Sequence, residues 1–177
     1  MLHIVINAGL FQLVWFSLVM GNISLGLVAI LFMSLHGFYT VNNKYQFLIF
    51  LLFVVSAGVI SDTLLVMMSV YDVHQNQTQI PLIPAWLGLL WIGFALTLNH
   101  ALAWLVANLK LSIPLFSIMG PLSYWLGSQL NPQALSVSLI YIPLLVIQWG
   151  AIAVLVYWLK RQLGISMSAS GESYEIR

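Results

Sequence analysis

Apolar runs of about twenty residues follow one another along almost the whole chain, separated only by short polar breaks. A helix crossing the hydrocarbon of a bilayer needs about 20 mainly apolar residues, and a lipid-exposed backbone must satisfy its own hydrogen bonds. Runs over 2–20, 23–41, 47–71, 84–108, 113–130 and 137–159 therefore predict six transmembrane helices, an all-α polytopic bundle. The breaks are "GN", "NNKYQ", "DVHQNQTQIP", "LKLS" and "NPQALS". Pro114 and the "GP" at 120–121 are expected to begin and kink the fifth span. Residues 1–163 form one transmembrane domain in this reading, and 164–177 a mobile polar cytoplasmic tail. Lacking a basic n-region, the N-terminal run reads as a retained helix rather than a signal peptide.

A water-soluble alternative fails on composition. Only 5% of the residues are charged, against about 25% in soluble domains. The net charge of +1 offers nothing to nucleic acid. With no cysteine, disulfides, thiolate catalysis and Cys-based metal or Fe–S sites are excluded.

Charge also predicts direction. If the first helix starts inside, the second and fourth connections and the C-terminus are cytoplasmic. Lys44, Lys110, Lys160, Arg161 and Arg177 fall there, and the other three connections hold no Lys or Arg. The positive-inside rule thus places both termini in the cytoplasm, across the cytoplasmic (inner) membrane. Tyr71, Trp86 and Trp158, near the predicted span ends, read as interfacial anchors.

Polar groups inside the spans are the pointers to function. Asp62 is the one acidic or basic residue within a predicted span, at a cost of about 2.5–3.5 kcal/mol near a helix centre. In "FALTLNHALAW", Thr97, Asn99 and His100 stand almost side by side. At helical phase Thr97, His100, Trp104 and Asn108 share one face and Asn99 points elsewhere, so the fourth span should be central. Gly58 and Asp62 share a face of the third span, where small residues allow close helix contact. Asp62 and His100 are the candidate catalytic residues, although helical rise separates them by about 11 Å in depth. Asn7, Gln12, Trp15, Trp91, Thr97, Asn99 and Trp104 are the candidate ligand-binding residues. The bland alternative is that Asn, Gln and Thr serve only as interhelical glue. Spaced His boxes, HExxH, GxSxG, GxGxxG and phosphate loops are all missing, so neither a metal nor a cofactor is predicted.

The stretches "INAGLFQLVWF", "GVISDTLL", "PAWLGLLWIGFALTLNHALAWL" and "GPLSYWLG" resemble an uncharacterised bacterial inner-membrane family, a domain of unknown function, up to about residue 160. The resemblance implies a small polytopic membrane protein with no assigned reaction, encoded near lipid-modifying enzymes such as cyclopropane fatty-acid synthase-like proteins. It supplies no catalytic residues.

Together these features lead to an expected membrane protein with a polar intramembrane cavity that binds, and in a fuller version modifies, a lipid or isoprenoid-like molecule. Beyond the bilayer and such a ligand no partner is indicated. Two other readings are a solute-binding transporter subunit and a non-catalytic accessory or scaffold subunit.

Overall fold

The computed structural model describes residues 2–73 and 83–164. Helices α1 (Leu2–Val19), α2 (Ile23–Thr40) and α3 (Lys44–Met67) are followed by a short strand β1 (Tyr71–Val73). Then come α4 (Ala85–Leu98), a single turn α5 (Ala103–Val106) and α6 (Leu109–Leu130). Strand β2 (Leu135–Val137) and a 3-10 turn (Leu139–Tyr141) lead into α7 (Ile142–Leu163). The architecture is all-α, with one small antiparallel ribbon in which Tyr71 pairs with Val137 and Val73 with Leu135. The expected tail lies outside the described residues.

Among the described residues, four segments of 18 to 25 residues are long and apolar enough to cross a membrane: α1, α2, α3 and the stretch Leu139–Leu163. Their outward faces carry exposed Leu31, Phe32, Leu52, Phe53, Ile60 and Ile147. An apolar surface of this extent is foreign to a soluble monomer; the chain is a membrane protein.

Asparagine side chains mark where helices begin. The carbonyls of Asn22, Asn43 and Asn108 accept from the backbone N–H of Leu25, Gln46 and Lys110, each at 3.1 Å, satisfying donors that the first helical turn leaves free. This cap explains why α6 starts at Leu109, inside the "LKLS" expected to be a break. Gly21, with φ at +83°, makes the tight turn between α1 and α2 that a side chain would strain.

The fourth span departs from expectation. The helix foreseen over 84–108 stops at Leu98, and residues 99–102 turn before α5. No glycine or proline causes the break. Tertiary partners replace helical hydrogen bonds instead. The Lys160 ammonium donates to the Leu98 carbonyl at 2.8 Å, and the Ala101 N–H donates to the Asn7 side-chain carbonyl at 3.3 Å. An ammonium at a helix C-terminus also answers the negative end of the helix dipole, and this one lies 5.9 Å from the centre of the Phe50 ring. Consequently Thr97, His100, Trp104 and Asn108 do not share a helical face, and Trp104 is 50% exposed.

Helix α4 is nonetheless central. Nine of its 14 residues are buried, against five of 18 in α1, and it packs on α1, α2 and α3. Helices α6 and α7 form a hairpin joined to the rest through α3 and α5. At one end the ribbon gathers the α3–α4 and α6–α7 connections, and the Asn131 amide donates to the Val19 carbonyl at 2.8 Å beside the α1–α2 turn.

Two glycines set the closest approaches. A Cβ on Gly58 would overlap the Trp91 indole, and one on Gly120 would overlap the Trp149 indole. Trp91 and Trp149 stack on each other, with centroids 5.3 Å apart and planes 17° from parallel. The pair is thus a slab of two indoles between the backbones of α3 and α6.

Gly58→Ala and Gly120→Ala should each lower stability in detergent by about 1–3 kcal/mol, the cost of overpacking against groups that cannot yield. Gly9→Ala, whose added methyl meets no atom within 4 Å, should be neutral or slightly stabilising. Lys160→Met should lose about 1–3 kcal/mol by leaving the Leu98 carbonyl without its donor. Thermal or denaturant melts of the purified variants check all three.

Candidate functional site

Asp62 lies in the last two turns of α3 and is fully buried. Its Oδ2 accepts from Trp91 Nε1 of α4 at 2.7 Å and from the Tyr124 hydroxyl of α6 at 2.6 Å. Its Oδ1 accepts from Gln148 Nε2 of α7 at 2.7 Å, an amide that also donates to Ser61 Oγ at 2.9 Å. Tyr71 stacks edge-on against Tyr124 and reaches the Asp62 backbone carbonyl at 3.4 Å. One carboxylate therefore ties four helices through donors from three of them. All three side-chain donors are neutral, and among the described residues no Lys, Arg or His is a neighbour. Tyr71 and Trp86, expected at the interface, are instead 1% and 3% exposed; packing on the aromatic cluster beneath the ribbon draws them inward.

Beside this cluster opens a half-enclosed cavity of about 60 Å³ between α1, α4, α6, α7 and β2. Its walls are mostly aromatic: Phe11, Trp15, Trp86, Trp91, Phe94, Tyr124 and Trp149. Two of these, Trp91 and Tyr124, are the residues that hold Asp62. Trp86 and Trp149 each bury an indole N–H without an acceptor among the described residues, whereas buried polar groups are normally hydrogen-bonded.

A second polar cluster surrounds the α4 break. His3 and His36 stack with centroids 5.5 Å apart, and His36 meets His100 edge-on at 5.0 Å. Among the described residues, the buried side chains of His100 and Asn99 have no hydrogen-bond partner, and the Asn7 amide nitrogen is likewise unpaired. Among the described residues, no group of three or more His, Asp or Glu is arranged to hold a metal ion.

The candidates named from sequence therefore divide. Trp15 and Trp91 line the cavity, and Asp62 lies directly behind it. Asn7, Asn99 and His100 belong to the α4 break, with partners distinct from those of Asp62. Thr97 is buried but its hydroxyl donates to Gly93 O of its own helix at 2.9 Å, as intrahelical Thr commonly does. Gln12 and Trp104 are exposed and join neither cluster, because Gln12 sits on the outer face of α1 and the break turns Trp104 outward. Sequence reading passed over Trp86, Tyr124, Gln148 and Trp149 as site residues. The available signal was in α3 and α6, where Gly58 and Gly120 offer flat surfaces on which an indole can lie.

Fold and site together define an all-α membrane protein built around a buried aspartate and an aromatic cleft. The chain belongs to DUF2878, a family of proteins of unknown function, whose model matches residues 4–155. Neither a curated protein nor a solved structure matches it.

Tyr124→Phe deletes one buried hydrogen bond to the Asp62 carboxyl group and should cost about 1–3 kcal/mol. In a cycle with Asp62→Asn, the double variant should cost less than the sum of the singles by about 0.5–3 kcal/mol. Denaturant titration in mixed micelles measures the coupling.

Proposed function

We propose that this is a six-pass protein of the cytoplasmic membrane, with both termini on the cytoplasmic side, which binds a lipid or isoprenoid-like molecule in the aromatic cleft. The observation that carries the reading is the cleft itself: seven aromatic side chains around a cavity of about 60 Å³. Ligand sites are typically apolar and aromatic, with a few placed polar groups. Orientation draws on charge. Lys44 and Lys110 start helices that run toward the ribbon, and Lys160 and Arg161 end the helix that leaves it. These four basic residues thus lie at the end opposite the ribbon, which the positive-inside rule assigns to the cytoplasm.

Binding takes precedence over reaction in this proposal. Asp62 and His100 keep separate sets of partners, so a paired acid and base at one reacting atom has no support in their placement. Asp62 acts on the ligand through the side chains it orients, Trp91 and Tyr124.

A transporter subunit is the second reading, favoured by the interruption of α4 and the unpaired polar atoms of Asn99 and His100 beside it. Discontinuous helices line substrate sites in many transporters. The two readings call on different ends of the molecule.

Native mass spectrometry of the protein purified in mild detergent separates them. A bound lipid or isoprenoid should accompany the wild type and His100→Ala, and be lost from a Trp15→Leu/Trp149→Leu variant. Equal retention in all three would remove the cleft as the site. Solute uptake that depends on His100 would move the function to the α4 break.

A further inference from the structure

The cleft is peculiar in what lines it. Among Val19, Leu87, Leu90 and Leu135 the cavity concentrates indoles: Trp15, Trp86, Trp91 and Trp149, with Tyr124 beside them. Indole has the most negative π-face among the natural side chains and is the best partner for a cation.

Charge points the same way. Asp62 is fully buried, and only neutral donors hold it. Buried charges are normally matched by an opposite charge, yet the basic residues of the described chain belong to the other end of the bundle. The donors to its Oδ2 are the ring N–H of Trp91 and the hydroxyl of Tyr124. Donation to a carboxylate drives electron density into those rings. The space suits a compact head. A water-sized group needs about 10–15 Å³ of such volume, so about 60 Å³ accepts a handful of heavy atoms, the size of a tetramethylammonium ion.

We propose that the cleft receives a methylated ammonium group, held by the aromatic side chains of Trp15, Trp86 and Tyr124, with Asp62 behind Trp91 and Tyr124 as its counter-charge. This deepens, and rests on, the reading of the cleft as the ligand site. Such a group is carried by a choline-type lipid head or by a small quaternary solute, and the site chemistry is the same for both.

The full chain in nanodiscs of phosphatidylglycerol provides the test. Tetramethylammonium, choline and dimethylbutanol, the uncharged carbon isostere of choline, are titrated while tryptophan fluorescence and heat are followed. Both cations should bind saturably, and the isostere at least about tenfold more weakly. Trp15→Leu, which alters a half-buried wall without touching the Asp62 hydrogen bonds, should weaken the cations severalfold. Asp62→Asn should weaken them about tenfold or more while leaving the isostere unchanged; where that variant does not fold, Trp15→Leu carries the test. Equal binding of isostere and choline overturns the cation assignment and leaves the cleft as an apolar site. Absence of saturable binding by all three, in protein with intact helical circular dichroism, overturns the cation assignment. The lipid-binding reading is then judged by the mass-spectrometric comparison. Repeating the titration in phosphatidylcholine discs separates the sources: lost choline binding identifies a lipid head, and unchanged binding identifies a free solute.

Discussion

The bundle depends on the Asp62 carboxylate. Removed from water in a membrane protein's interior, it must collect donors from elsewhere, and it collects them from α4, α6 and α7 at 2.6–2.7 Å. No local sequence contact could do this, because the donors lie 29 to 86 residues away. Helices in lipid gain little from the hydrophobic effect on associating, so a buried hydrogen-bond hub supplies orientation where apolar burial supplies none. It fixes the rotation of each donor helix about its axis as well as its position.

The indole slab follows from that hub. Trp91 can reach Asp62 only by lying across α3, and the absence of a side chain at Gly58 leaves the room. Trp149 then stacks on Trp91 and lies against Gly120. Four helices thus meet through a sequence of glycine, indole, indole and glycine. One consequence is a rigid aromatic wall, and the cavity is the space this wall cannot fill against Trp15, Trp86 and Phe11. Structural order and ligand chemistry therefore share the same residues, as preorganised sites require.

At the other end a second buried charge works by different means. Lys160 is only 6% exposed, and its ammonium meets a helix C-terminus and the Phe50 ring rather than a carboxylate. Helix α7 therefore links both charged centres, contributing Gln148 to Asp62 and Lys160 to Leu98. The unpaired side chains of Asn99 and His100 sit where α4 gives way, so the break and the polar cluster are one feature.

Much of this molecule was written along the chain. Length of apolar run, scarcity of charge and the asparagine breaks determined an all-α membrane protein and the approximate extent of α1, α2, α3 and α7, because hydrocarbon admits few alternatives to a helix. The isolated Asp62 and the small Gly58 on its face marked α3 as a helix with something to bind. Tertiary structure alone decided the rest. It ended α4 at Leu98 through a lysine 62 residues away, separated His100 from Asp62, turned Gln12 and Trp104 outward, and recruited Trp86, Tyr124 and Trp149 to one cavity. The physical reason is that helical phase is a local property, readable from one segment. Which faces meet, and where a helix yields its hydrogen bonds to a distant donor, depends on the packing of all the segments at once.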